Sequence, residues 1–224
     1  MSAPIVVINP NSSEAVTAAI DRAIAPLRMA GGPAIECVTL AEGPPGIETQ
    51  AHVEQVVQPI LHLVRAREDA AAFVIACFSD PGLHVVREAT ARPVLGIAEC
   101  GMLFVLTLGE RFGIVSILAG SVPRHLRYVR QLGLAARFAG DLPIGLGVAE
   151  LSDEGKTLVR LSAIGAELRD HHGADVLVLG CAGMARYRHQ IEAAIGLPLV
   201  DPTQAAVTMA IGAVRLAEAH AVEG

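Results

Sequence analysis

Short runs of Val, Ile and Leu alternate with longer amphipathic stretches along almost the whole chain. The run at 175–180 has no polar residue after its aspartate, which is typical of a strand buried on both faces. The stretch 154–170 instead places Leu158, Leu161 and Leu168 on one face at helical spacing. A sheet that is buried on both faces needs helices on both sides. The pattern therefore predicts an α/β fold with mostly parallel strands.

The predicted elements follow from this alternation. The predicted strands are 4–8, 35–40, 71–77, 93–97, 112–118, 136–148, 175–180 and 197–200. The predicted helices are 12–27, 51–66, 81–90, 101–109, 122–132, 154–170, 185–195 and 203–219. Capping patterns support three of the helix starts. Asn11 with Glu14 resembles a capping box, and Asp80 and Asp201 each precede a proline as an N-cap residue would.

An internal repeat is the most informative feature of the chain. Two apolar strands end on a cysteine, Cys77 and Cys181, and each cysteine is followed by turn-forming residues and a helical stretch. The next strand then contains a proline, Pro93 in one half and Pro198 in the other. Ligands of open parallel sheets bind beyond the carboxyl ends of the strands. Two similar halves that face each other would therefore present one thiol from each side of a shared cleft.

Two opposed thiols suggest a specific chemistry. A thiol beside backbone N–H groups at a helix start has its pKa lowered from ~8.5 to about 7 or below. One thiolate could take a proton from a substrate carbon while the opposite thiol returns a proton to the other face, which inverts the carbon without a cofactor. The N–H groups around Ser79 and Gly183 would stabilise the enolate. The alternative is that each cysteine is only a small buried apolar residue, as we expect for Cys37 and Cys100.

Composition excludes several classes of function. The net charge of −6, the lack of a basic cluster and the absence of Trp argue against nucleic-acid binding. Apolar stretches such as 101–108 and 205–214 are too short to span a membrane. The cysteines show no disulfide or zinc spacing, so we expect free thiols, no metal and a cytoplasmic protein. The first residues do not have the pattern of a signal peptide.

Four segments together make a resemblance to a known family. They are INPNSS at 8–13, IACFSDPGL at 75–83, PVLGIAE at 93–99 and LGCAGM at 179–184. In these segments, and in their order along almost the whole chain, the protein resembles the aspartate/glutamate racemase superfamily. The resemblance is closest to the hydantoin/allantoin racemase branch.

The resemblance implies a fold and an activity. The fold would be two similar three-layer α/β/α subdomains, related by a pseudo-two-fold axis, with the active site in the cleft between them. We assign residues 1–98 with 203–224 to the first subdomain and 99–202 to the second. The activity would be cofactor-independent racemisation of a 5-substituted hydantoin or allantoin by Cys77 and Cys181. A homo-oligomer that binds a small-molecule substrate is expected on the same ground.

The resemblance also names substrate-binding residues. Asn11 in the first loop would help to hold the substrate, although it could simply cap its helix. The residues that follow each cysteine would line the pocket, namely Phe78, Ser79, Ala182, Gly183 and Met184. Further candidates from the strand ends and the loop after them are Glu99, Ser116 and Ser121. Glu99 could accept a hydrogen bond from a ring N–H group or be solvated.

Three departures from the wider superfamily bear on the substrate. Ala182 and Gly183 stand where amino-acid racemases have Thr-His, and Asn11 stands in a loop where glutamate racemases have an acidic residue. Both changes favour a neutral carbon acid over an amino acid. Ser116 and Ile117 replace a Thr-Thr pair that is common in hydantoin racemases, which leaves the substrate itself open.

Other functions remain possible at this stage. The chain could be an amino-acid racemase, a decarboxylase of malonate-type acids or a cis–trans isomerase of a small diacid. The decarboxylases lack the first cysteine, so the presence of Cys77 argues against them. A non-catalytic small-molecule sensor that keeps the cleft is an alternative from another class, and thiols of ordinary pKa and low reactivity would favour it.

Overall fold

Residues 3–223 are described by the computed structural model, and they form two four-stranded sheets. The strands of the first sheet are β1 (Ile5–Asn9), β2 (Ile35–Thr39), β3 (Ala72–Ile75) and β4 (Val94–Gly96). The strands of the second sheet are β5 (Phe112–Ser116), β6 (Phe138–Pro143), β7 (Val176–Leu179) and β8 (Leu199–Val200). Their spatial orders are β2-β1-β3-β4 and β6-β5-β7-β8, and every strand pair described is parallel. The two sheets thus repeat one topology, which confirms the predicted α/β fold.

Helices cover both faces of each sheet. In chain order they are α1 (Glu14–Ile24), α2 (Gln50–Gln55), α3 (Val57–Ala66), α4 (Leu83–Ala89), α5 (Ile97–Val105), α6 (Val122–Gln131), α7 (Glu154–Asp170), α8 (Arg188–Ile195) and α9 (Pro202–Glu223). A short 3-10 helix, Ala182–Tyr187, precedes α8. No helix among residues 3–223 is long and apolar enough to cross a bilayer.

Alternate residues of β1 pack into separate cores, as a strand buried on both faces requires. Ile5 and Val7 pack with the apolar faces of α1 and α9, whereas Val6 and Ile8 pack with those of α3 and α4. The second sheet does the same, with α7 and α8 on one face and α5 and α6 on the other. Two cores per sheet give each subdomain three layers. The continuous apolar runs of the sequence are the direct cause of this arrangement.

The last helix returns the chain to the first sheet. α9 packs against α1 and α5 and lies over β1, β3 and β4. Its start is capped as the sequence predicts, because the Asp201 carboxylate accepts hydrogen bonds from the N–H groups of Thr203 and Gln204. The exact division of the chain at 98/99 and 202/203 stays a prediction.

Two predicted helix starts are wrong, and the same aspartate explains both. Asp80 does not cap the helix that follows it, because Asp80 and Gly82 have positive φ angles of 43° and 71° and α4 begins only at Leu83. The Asp80 carboxylate instead accepts from the N–H groups of Ala98 and Glu99 at 2.9 and 2.8 Å. This caps α5, which begins at Ile97 rather than at 101.

Candidate active site

Both repeat cysteines lie two residues beyond the ends of equivalent central strands, β3 and β7. Their side chains line one cavity of about 40 Å³ between the two subdomains. Of the other predicted site residues, this cavity is also lined by Asn11, Phe78, Ser79, Ser121, Ala182 and Gly183. Its remaining walls are largely apolar and include Val16, Ile47, Ile117 and Val148. The structure therefore brings most of the predicted site together at the carboxyl ends of both sheets.

The thiols do not have the lowered pKa that the sequence predicts. Burial raises the pKa of Cys77 to about 12 and that of Cys181 to about 11. A backbone N–H group, from Ser79 at Cys77 and from Gly183 at Cys181, lowers each value but does not offset the loss of solvation. The prediction failed because the single N–H group at each half-buried sulfur stabilises the thiolate less than the loss of solvation destabilises it. Once ionised, such a thiolate is a strong base.

The two sulfur atoms are close enough for their charges to interact. A negative charge on Cys181 raises the pKa of Cys77 further, whereas the Arg124 guanidinium lowers it. The charge of Glu48 acts on Cys181 and raises its pKa. With these raised pKa values both thiols are largely protonated at neutral pH. When Cys181 does ionise, its negative charge opposes ionisation of Cys77.

Asn11 organises the first loop rather than capping α1. Its Oδ1 accepts from the N–H group of Ser13 at 2.9 Å and from Asn9 Nδ2 at 3.0 Å. Ser13 is the cap, since its hydroxyl accepts from the N–H group of Val16. Asn9 also donates to Thr17 Oγ1 at 2.9 Å, which joins the loop to α1. This network fixes the loop, and Asn11 contacts the cavity from it.

Three predicted substrate contacts lie outside the lining of the cavity. Glu99 is in the first turn of α5, where its carboxylate accepts from Arg87 at 2.5 Å. Met184 is completely buried in the core of the second subdomain, because the 3-10 helix turns its side chain inward. Ser116 is completely buried at the end of β5, and its hydroxyl donates to Asp141. Their roles are a surface ion pair, core packing and a buried polar cluster.

Arg124 and His125 line the cavity and were not among the predicted site residues. Arg124 Nη2 donates to the carbonyl oxygen of Glu48 at 3.3 Å and to Ser121 Oγ at 3.2 Å, so it joins the two subdomains at the cavity. His125 packs edge-on against Phe78, with ring centroids 5.1 Å apart. Their position in the first turn of α6 is the sequence feature that could have identified them. α6 comes after the loop that follows β5, just as α1 comes after the loop that follows β1 in the other half of the repeat.

A larger cleft adjoins the cavity. It has a volume of about 410 Å³ and shares Val16, Val148 and Gly183 with the cavity that holds the thiols. Its other walls include the small or hydroxylated residues Ser12, Ala15, Ala149 and Ser152. Within residues 3–223, no group of three His, Cys, Asp or Glu side chains is arranged to hold a metal ion.

Comparison with known proteins identifies the family. The family model for Asp/Glu/Hydantoin racemase matches residues 5–210. A hydantoin racemase of Paenarthrobacter aurescens is 38% identical over 220 residues, which cover 95% of this chain and 91% of that protein. A hydantoin racemase of Rhizobium meliloti is 33% identical over 91% of this chain and 85% of its own length.

A solved structure agrees with these sequence relatives. Allantoin racemase from Klebsiella pneumoniae superimposes with a TM-score of 0.90 at 32% identity, covering 96% of this chain and 89% of that one. The match extends over both subdomains and the cleft between them. The chain is an isomerase that belongs to the Asp/Glu/hydantoin racemase family, in its hydantoin and allantoin racemase branch.

Proposed function

We propose that this enzyme racemises a 5-substituted hydantoin or allantoin by two-base proton transfer between Cys77 and Cys181. The observation that carries the proposal is the pair of thiols in one cavity, one from each subdomain, each accepting a hydrogen bond from a backbone N–H group. The similarity to hydantoin racemases and to an allantoin racemase supports this substrate class.

The proposed reaction inverts C5 of the hydantoin ring in two proton transfers. The Cys181 thiolate takes the C5 proton from one face, and the electron pair of the C–H bond moves into the adjacent carbonyl group. The Cys77 thiol then donates its proton to C5 from the opposite face and becomes the thiolate. The other enantiomer reacts in the reverse direction. The scheme starts from the enzyme form in which Cys181 is ionised, and the charge of that thiolate keeps Cys77 protonated as the acid.

The raised pKa values fit a weak carbon acid. A thiolate whose conjugate acid has a pKa of about 11 is a stronger base than an ordinary cysteine thiolate. C5 of a hydantoin lies between a carbonyl group and a ring nitrogen, so its proton is more acidic than the Cα proton of a zwitterionic amino acid. The cavity is also lined by Asn11, in the loop where glutamate racemases have an acidic residue. These features favour a neutral ring over aspartate or glutamate.

The shape of the site supports a substituted ring. The cavity of about 40 Å³ at the thiols would hold the reacting part of the substrate. The adjoining cleft of about 410 Å³ shares Gly183 with it, so the cleft is placed to hold the 5-substituent or the ureido group of allantoin. The cleft has both apolar walls and serine hydroxyl groups, so it can accommodate an apolar 5-substituent or a polar ureido group.

The substrate class is tested by polarimetry on enantiopure compounds. We expect loss of optical rotation with allantoin or 5-benzylhydantoin and no change with aspartate or glutamate. Racemisation of an amino acid alone would contradict the proposal and favour an amino-acid racemase. Saturable binding of a hydantoin without loss of rotation would favour the sensor.

The assembly and location of the enzyme are part of the proposal. We propose a cytoplasmic homo-oligomer, since both are expected of a family member with free thiols. Light scattering coupled to size-exclusion chromatography tests the assembly, and a mass equal to the 23.3 kDa of one chain would contradict it.

A further inference from the structure

A buried polar cluster of His125, Asp141 and Ser116 lies behind the cavity in the second subdomain. His125 Nδ1 is 2.7 Å from Asp141 Oδ2 and 3.1 Å from Ser116 Oγ. Ser116 Oγ donates to the other carboxylate oxygen of Asp141. The side chains of His125 and Asp141 are 3% and 0% exposed, so the pair is almost completely removed from solvent.

Hydrogen bonding leaves one ring nitrogen of His125 unoccupied. Nδ1 faces Asp141 Oδ2 and Ser116 Oγ, and no Lys or Arg among the described residues is paired with Asp141. The tautomer decides what Nε2 can do: a proton on Asp141, or on both ring nitrogens, leaves a hydrogen on Nε2, whereas a neutral ring that donates from Nδ1 leaves Nε2 as an acceptor.

Nε2 is the ring nitrogen that is left to contact a ligand, in the thiol cavity or in the neighbouring pocket that His125 also lines. His125 lines the cavity together with Cys77 and Cys181, and Nδ1 is the ring nitrogen that Asp141 and Ser116 occupy. No hydrogen-bond partner for Nε2 is found among residues 3–223. Nε2 is also not one of the fully buried, unpaired side-chain atoms there, which are Asp201 Oδ2 and Thr203 Oγ1. The remaining exposure of the ring nitrogen is therefore compatible with a contact in the cavity.

We propose that His125 is a further catalytic residue, whose Nε2–H group donates a hydrogen bond to the carbonyl oxygen next to the reacting carbon. This inference rests on the proposed racemisation of a hydantoin. When the thiolate removes the C5 proton, the electron pair moves onto that oxygen, and the donor stabilises the growing negative charge. The hydrogen stays on Nε2 throughout, so the thiols alone exchange protons with carbon. Asp141 and Ser116 are positioning residues that fix the ring and its protonation.

Kinetics of matched histidine variants test this role. Because the hydrogen bond strengthens as charge develops, we expect His125→Ala to lower kcat roughly 100- to 1000-fold with little change in KM. His125→Gln, which keeps an N–H donor, should recover at least about tenfold of this loss. His84→Ala is the control, since His84 is exposed on α4 and does not line the cavity of the thiols. Circular dichroism and thermal unfolding establish that each variant is folded.

A spectroscopic measurement separates this inference from the proposed function. A ¹⁵N–¹H correlation spectrum of the imidazole groups, assigned by loss of the His125 signal in His125→Gln, should show a protonated Nε2. An unprotonated Nε2, or kcat of His125→Ala within about threefold of wild type, would overturn the role of His125 while racemisation stands. An inactive wild-type enzyme would overturn the proposed function and the catalytic role with it, while the spectrum would still decide whether Nε2 is a donor.

Discussion

Segment 77–80 of the first subdomain and segment 181–184 of the second follow equivalent strands, but different interactions hold them. The first segment ends on Asp80, whose carboxylate accepts from two N–H groups of α5 and from the Tyr128 hydroxyl group at 2.9 Å. The second ends on Met184, which is completely buried in an apolar core. Tyr128 belongs to α6, so the polar support of the first cysteine crosses to the other subdomain. The segment of the second cysteine also reaches the other subdomain, but through apolar packing: Ala182 is buried in the core of the first subdomain, and the 3-10 helix that begins there packs against α1.

The two junctions therefore differ in the kind of interaction that holds them. The segment of Cys181 is held by apolar packing, from Met184 in its own subdomain and from Ala182 in the other. The segment of Cys77 is held by hydrogen bonds of Asp80, one of which comes from Tyr128 of the other subdomain. We therefore expect the second junction to respond mainly to changes of side-chain volume and the first mainly to changes of polar groups.

The largest expected effect is loss of packing at the second junction. Met184→Ala removes a completely buried side chain, and we expect it to lower the free energy of unfolding by about 2–5 kcal/mol. Met184→Leu, which conserves volume, should cost less than about 1.5 kcal/mol. Urea denaturation followed by circular dichroism measures both. A loss below about 1 kcal/mol for Met184→Ala would show that the junction is not held by its core.

The polar junction should respond to a smaller chemical change. Asp80→Asn replaces a carboxylate oxygen with an N–H donor that faces other donors, and we expect a loss of about 1–3 kcal/mol in the free energy of unfolding. Tyr128→Phe is its partner in a double-mutant cycle. The two effects should be non-additive by about 0.5 kcal/mol or more, because one hydrogen bond joins the residues. If the two losses of unfolding free energy simply add, this would contradict the hydrogen bond between Asp80 and Tyr128 across the two subdomains.

The thiols themselves should differ in reactivity. With pKa values of about 11 for Cys181 and about 12 for Cys77, both rates of alkylation by iodoacetamide should rise with pH from 7 to 10. Cys181, which has the lower pKa of the two, should react faster, because its larger thiolate fraction outweighs its lower nucleophilicity. Peptide mass spectrometry resolves the two sites.

Arg124 provides the control for this difference. Its positive charge lowers the pKa of Cys77 and is not among the causes that shift Cys181. Arg124→Met should therefore slow alkylation of Cys77 and leave that of Cys181 unchanged. Faster alkylation of Cys77 than of Cys181 in the wild type would reverse the order of the two bases.

The smallest expected effect concerns the glycine after the second cysteine. A Cβ atom at Gly183 would lie 3.2 Å from Leu151 Cδ1 and 3.6 Å from Cys181 Sγ. We expect Gly183→Ala to change the free energy of unfolding by less than about 1 kcal/mol while lowering kcat/KM severalfold, since the methyl group narrows the space beside the sulfur. Gly180→Ala is the contrasting variant, because its Cβ would lie 2.9 Å from a backbone oxygen. We expect Gly180→Ala to lower the free energy of unfolding more than Gly183→Ala does. Equal losses would contradict the difference in crowding at the two positions.

The fold and the two cysteines could be predicted from sequence because both depend on local patterns. Continuous apolar runs specify a sheet covered on both faces, and the repeat places Cys77 and Cys181 at equivalent strand ends. Asp80 could not be predicted in the same way, because it caps a helix that begins seventeen residues later in the chain. Local sequence favours the nearer helix. Asp80 does not form that nearer cap, because Asp80 and Gly82 have positive φ angles and the carboxylate is held by Ala98, Glu99 and Tyr128.

The polar residues of the site show the same limit. His125 is on a helix with no motif around it, and the role we propose for it depends on Asp141, which belongs to the least regular of the predicted strands. The pKa values of the thiols depend on burial by residues from both subdomains, which no local window contains. Interactions within one strand–turn unit were therefore predictable, whereas those across the cleft were not.

The central claim is that Cys77 and Cys181 are an opposed acid and base. Its most direct test follows racemisation of each enantiomer of allantoin or 5-benzylhydantoin in D₂O, by optical rotation and by NMR of the C5 proton, in wild type, Cys77→Ser and Cys181→Ser. We expect the wild type to exchange and invert C5, and each variant to lose racemisation by about 100-fold or more. Residual exchange of one enantiomer in a variant would assign the remaining thiol to one face. A variant that racemises within about threefold of wild type would show that its cysteine is not one of the two bases.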